Sequence, residues 1–78
     1  MDAIFKALND PARRALLDSL RQSDGQTLTD LCEQLDMTRF GVMKHLKVLE
    51  RANLIARRKD AQRRLCRLQP GALEAVSA

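Results

Sequence analysis

The 78-residue sequence has no tryptophan and no tyrosine, and its only aromatic rings besides that of His45 are Phe5 and Phe40. So few rings exclude the stacking platforms on which single-stranded nucleic acid is held. Cysteine is equally scarce. Cys32 and Cys66 cannot supply the disulfide framework of a small secreted domain. Three glycines leave no Gly-rich phosphate loop, and the single histidine leaves no nucleophile pairing at usable spacing. No carboxylate pair is set in an apolar stretch, so an enzyme is not expected. No apolar run approaches the roughly 20 residues of a bilayer span, and no charged-then-apolar leader opens the chain. With 31% charged and 45% hydrophobic residues the chain is also no disordered tail. The expectation is one cytoplasmic domain over residues 1–78, with a core thin enough to make oligomerisation the usual remedy.

The net charge of +4 is unevenly spread. Residues 1–38 carry net −3, with Lys6, Arg13, Arg14 and Arg21 against seven acids. Residues 39–67 carry net +8, with ten bases against Glu50 and Asp60, and Glu74 follows in the tail. Such a contiguous cationic stretch is what a polyanion-binding surface requires, although a solvated basic face would look the same in composition.

Local patterns place these charges on structure. Ile4, Phe5 and Leu8 have the spacing of a short amphipathic helix over 1–8. Asn9-Asp10-Pro11 ends it and starts another, with Asp10 as N-cap and Pro11 at the first helical position. Ala12, Leu16 and Leu20 line this second helix to about Gln22, with Leu17 widening the stripe, and Ser23-Asp24-Gly25 is turn chemistry. Thr27 and Asp30 resemble a capping box for a third helix with Leu28, Leu31 and Leu35 inward. Thr38 can cap a fourth helix that runs to about Ala52 on the apolar stripe Val42, Leu46, Leu49, with Asn53 suited to a left-handed end. The runs 54–59 and 63–68 read as a hairpin about Asp60-Ala61-Gln62, with Cys66 and Leu68 on one face and Arg67 on the other. The expected fold is mainly α with a small β-hairpin: a winged helix-turn-helix, with the helix-turn-helix at about 28–52, the wing at about 54–68 and a short C-terminal helical turn.

In that fold the fourth helix turns Arg39, Phe40, Met43, Lys44 and Lys47 away from the core, as a helix in the major groove of double-stranded DNA requires. Arg39 can fork onto a guanine, Lys44 can reach base or phosphate, and Lys47 lies further back toward phosphate. Phe40 and Met43 can meet thymine methyls or sugar. Thr38 sits where a helix N-terminus meets a phosphate. Arg57, Arg58, Lys59, Arg63 and Arg64 crowd the hairpin, where they can contact the backbone or minor groove or merely guard a sheet edge. A protein-interaction module and a nonspecific architectural DNA binder remain alternatives to a sequence-specific regulator.

Residues 5–14, Phe-Lys-Ala-Leu-Asn-Asp-Pro-Ala-Arg-Arg, resemble the A-L-x-D-P-T-R-R opening of ArsR-type winged-helix repressors. Residues 37–50 are similar to that family's recognition-helix pattern S-x-x-x-V-S-x-H-L-K-x-L. The resemblance spans about residues 4–69 and implies a homodimeric transcriptional repressor. It also implies DNA-facing positions at Thr38, Arg39, Phe40, Met43, Lys44 and His45; for His45 a half-buried packing role stays open. Metal-sensing relatives carry Cys-x-Cys on the third helix. Here Cys32 is followed by Gln34, so no metal and no cofactor are expected. Family members pair through the first helix and a long C-terminal one, which puts the dimer contact at Ile4, Phe5, Leu8, Leu73 and Val76.

Overall fold

The computed structural model describes residues 2–71. Helices α1 (Ala3–Leu8) and α2 (Pro11–Gln22) precede a two-residue strand β1 (Gln26–Thr27). Then come α3 (Leu28–Leu35), α4 (Arg39–Arg51) and a hairpin of β2 (Ile55–Asp60) and β3 (Arg63–Leu68). The proposed C-terminal turn, with Leu73 and Val76, lies outside the described residues.

Each helix begins where a side chain can satisfy its free N–H groups. Asp10 accepts from the N–H groups of Ala12 and Arg13, at 2.8 and 3.3 Å. Thr27 and Asp30 form a reciprocal capping box at 3.1 and 3.0 Å. The Thr38 hydroxyl accepts from Gly41 N–H at 3.1 Å. A Cβ on Gly41 would come within 3.2 Å of that hydroxyl, a tight fit against the cap. Asp36 and Asn53 end their helices with φ of 52° and 60°, a conformation that short polar side chains tolerate.

The sheet corrects the expectation of a lone hairpin. It has three antiparallel strands in the order β1-β3-β2, with Gln26 opposite Cys66 and Thr27 opposite Leu65. Gly25 leads into β1 at φ 75°, and its N–H donates to the Cys66 carbonyl at 3.1 Å. Two polar residues show no apolar alternation, so β1 has no period-two signal. Because β3 is the middle strand, both its faces are partly covered. Cys66 joins the core, while Leu65 is buried on the opposite face, flanked by the cross-strand partners Thr27 and Arg58. The Asp24 carboxylate secures the far end, accepting from Leu68 N–H at 2.8 Å.

The core lies where α2, α3, α4 and the sheet meet: Leu16, Leu20, Leu31, Val42, Leu46, Leu49, Leu54, Ile55 and Cys66 are its larger members. One polar network enters it. Gln26 donates to the Ser19 and Ser23 carbonyls at 3.0 and 2.8 Å and to the Ser19 hydroxyl, which donates in turn to Gln34. This ties α2, β1 and α3 together.

Two predictions come from the backbone and the caps. The hairpin loop is Ala61-Gln62, and Ala61 is held at φ 57°. Ala61→Gly should therefore raise stability by about 1 kcal/mol, measured by urea unfolding; no gain would show that Ala61 is unstrained. Desolvation works to raise the Asp10 pKa, but the N–H groups of Arg13 and Ala12 outweigh it and hold the carboxyl below its usual range. A depressed folded pKa contributes stability above the unfolded value, lost as pH falls through the folded one. Asp10→Asn should keep the cap at neutral pH and flatten the fall in stability below about pH 4. An unchanged acid limb would contradict this.

Candidate nucleic-acid interface

The buried stripe of α4 decides which residues face out. Val42, Leu46 and Leu49 have no exposed surface, and Phe40, Lys44, Lys47 and Arg51 are exposed on the other side at helical spacing. Phe40 is 76% exposed, with the Lys44 ammonium 5.9 Å from its ring centroid. An aromatic ring and a cation paired on an open helix face can meet both the apolar and the anionic parts of a duplex. Arg51, not anticipated from sequence, completes the stripe in the last turn; the i, i+4, i+7, i+11 spacing from Phe40 was the signal that would have found it.

The other expected contacts are placed as follows. Thr38 is exposed at the N-terminus of α4, and its capping hydroxyl keeps a proton to donate. Arg39 is exposed and donates to the Thr29 hydroxyl of α3 at 3.0 Å, which steers it across the helix-turn-helix angle. Met43 is half-buried between that outer stripe and the wing. His45 is also half-buried and turns toward the α1–α2 junction, where its Nδ1 lies 3.3 Å from Arg13 Nη1. A guanidinium has only donors, so this contact is a hydrogen bond when Nδ1 carries no proton. Arg13 meanwhile donates to the Ala7 and Lys6 carbonyls at 2.7 and 3.0 Å, closing the end of α1 against α4.

On the wing Arg58, Lys59, Arg63 and Arg64 are exposed, whereas Arg57 is half-buried. Among the described residues ion pairs join Arg13 to Asp10, Arg21 to Asp18 and Arg67 to Asp24. The wing cations and those on the outer face of α4 have no such partner there, so their field is directed outward.

Residues 8–58 match the family described as a helix-turn-helix domain. The HTH-type transcriptional regulator YuzN of Bacillus subtilis is 40% identical over 70 residues, covering 82% of this chain and 76% of that protein. The transcriptional repressor SdpR of the same organism is 34% identical over 62 residues, covering 80% and 68%. The crystal structure of an ArsR family transcriptional regulator superposes with a TM-score of 0.78 at 35% identity, over 96% of this chain and 76% of that one. The chain belongs to the ArsR-type winged helix-turn-helix regulators.

As a member of that family it is a DNA-binding transcriptional regulator and not an enzyme. Ile4 and Leu8 pack against the chain's own core, and Phe5 is left 70% exposed on α1. Cys32 is half-buried beside the core, and Gln34 is engaged by Ser19. No cluster of three His, Cys, Asp or Glu side chains suited to a metal occurs among the described residues.

The placement of His45 has a measurable consequence. His45→Ala leaves Arg13 Nη1 without its acceptor and should cost about 1 kcal/mol of stability in urea unfolding. A stability equal to wild type would show that the contact contributes nothing.

Proposed function

We propose that this regulator is a repressor that reads double-stranded DNA with α4 in the major groove and the wing on the neighbouring backbone or minor groove. The observation that carries the reading is the outward stripe Phe40, Lys44, Lys47 and Arg51, continued beyond Met43 by the wing cations. In this reading Thr38 and Arg39 meet DNA at the front of the helix and Lys44 and Lys47 meet phosphate along it. Arg58, Lys59, Arg63 and Arg64 supply the second anchor. His45 acts from behind, through Arg13. Repression is proposed by analogy with the transcriptional repressor SdpR. No helix among the described residues is long and apolar enough to cross a membrane; the cytoplasm is proposed from the DNA-binding family.

The same proposal makes the working unit a homodimer. Phe5 is an exposed large apolar side chain on α1, beside Ile4 and Leu8, and a second copy can cover it. Two protomers related by a two-fold axis would read half-sites about 34 Å apart.

The test is a titration of a fluorescently labelled duplex, enriched by selection from a random pool, against a shuffled duplex at two salt concentrations. The repressor reading expects tighter binding to the enriched duplex by about 10³-fold or more. Lys44→Ala and Lys47→Ala should each lower the salt slope by about 0.9 for every phosphate contact removed, without loss of thermal stability. Equal binding to both duplexes would leave a nonspecific binder. No binding at low salt would favour a protein-interaction module. Sedimentation showing only monomer at micromolar concentration would remove the dimer.

A further inference from the structure

Arg57 does not share the surroundings of the other wing cations. It pairs across the sheet with Cys66, so its side chain rises from the face of the sheet that carries the core. Its neighbour Arg58 pairs with Leu65 and rises from the other face. Arg57 is consequently half-buried, while Arg58, Lys59, Arg63 and Arg64 are exposed. The Arg57 guanidinium reaches α4, where Nη1 donates to the Met43 thioether at 3.4 Å. The buried Cys66 thiol stands opposite it, pushed toward its neutral form by burial against the pull of the Arg57 charge. Arg57 Nε is buried with no acceptor.

The acceptor it finds is a thioether sulfur, among the weakest in the side-chain repertoire, and the buried Nε–H is an uncompensated donor. Such a site is poor at stabilising the fold for its own sake. Its distinctive property is position. One side chain of β2, the strand that leads to the wing tip, reaches the reading helix through Met43. Met43 stands three residues after Phe40, one before Lys44 and four before Lys47, so it is a neighbour of the outward stripe.

We propose that Arg57 is a positioning residue. Its guanidinium, bonded to Met43 Sδ from the strand position opposite Cys66, sets the angle of the wing to α4 and thereby the DNA sequences that helix and wing engage together. The inference rests on the DNA-reading function proposed above and deepens it. A wing held at a fixed angle lets the second contact form at high effective concentration once the helix is seated. Nonspecific binding needs no such register, because phosphates are met wherever the protein lies. Loosening the latch therefore costs specific binding and spares nonspecific binding.

The experiment compares Arg57→Gln, Arg57→Lys and Arg64→Ala with wild type on the enriched and shuffled duplexes, at several salt concentrations. Arg57→Gln should weaken the enriched complex by about tenfold, the size of an ordinary coupling between residues in contact. It should leave the shuffled complex and the salt slope unchanged. Arg57→Lys keeps the charge but not the planar fork, and should fail to rescue. Arg64→Ala should weaken both complexes alike and lower the slope by about 0.9. Rescue by lysine, or a lowered slope in Arg57→Gln, would make Arg57 a phosphate contact and overturn the proposal.

Backbone ¹⁵N relaxation of the free protein gives a readout that needs no DNA. Residues 58–64 should gain nanosecond mobility in Arg57→Gln and also in Met43→Leu, which keeps the bulk at 43 and removes the acceptor. A wing as rigid as wild type in both variants overturns the proposal whether or not any duplex is enriched.

Discussion

The burial of Val42, Leu46 and Leu49 is the constraint from which the rest of the interface follows. These three side chains have no exposed surface and sit among Leu16, Leu20, Leu31, Leu54 and Ile55. Fully burying a side chain of this kind contributes roughly 1.5–3 kcal/mol, so rotating α4 about its axis would expose apolar surface and desolvate Lys44 or Lys47. The helix therefore has one rotational setting. Phe40, Lys44, Lys47 and Arg51 are turned outward by the core, before any ligand arrives, and little reorganisation remains to be made on binding.

Polar contacts supplement that core at its margins. Arg13 gathers the carbonyls at the end of α1 and meets His45 on α4, so α4 is braced from behind by a cation that takes no part in the outward field. Ser19, Gln26 and Gln34 brace α2, β1 and α3. The division of labour follows the charge pattern of the chain. Acids of the first half are spent on helix caps and the brace at β3: Asp10, Asp30 and Asp24. The bases of residues 39–67 are left largely facing water or, on the proposed reading, phosphate.

Much of this was legible in the sequence because helix signals are local. Asp10-Pro11, the Thr27–Asp30 box, Thr38 and Asn53 mark the helix boundaries, and the apolar spacing of α4 names its inner face. What escaped has physical reasons. Strand β1 consists of Gln26 and Thr27, and it exists because the edge of β3 offers unpaired backbone groups at that point, a tertiary fact. Leu65 is buried through the strands on either side of β3, which alternation along one strand does not reveal. His45 lies on the flank of α4, where a one-dimensional pattern does not decide between groove and scaffold. The side chain it meets is Arg13, 32 residues away. Arg57 looked like one more wing cation because its distinction depends on which face of the hairpin it occupies.

The central claim, that the core presents one prepared face of α4 and the wing to DNA, is tested most directly by amide chemical-shift mapping. The ¹⁵N-labelled protein would be titrated with the enriched duplex. The account predicts the largest changes along residues 38–51 and 58–64, with the amides of α2 and of the Ser19–Gln26–Gln34 brace little affected. Changes concentrated on α2 and α3 with the outward stripe of α4 undisturbed would contradict it.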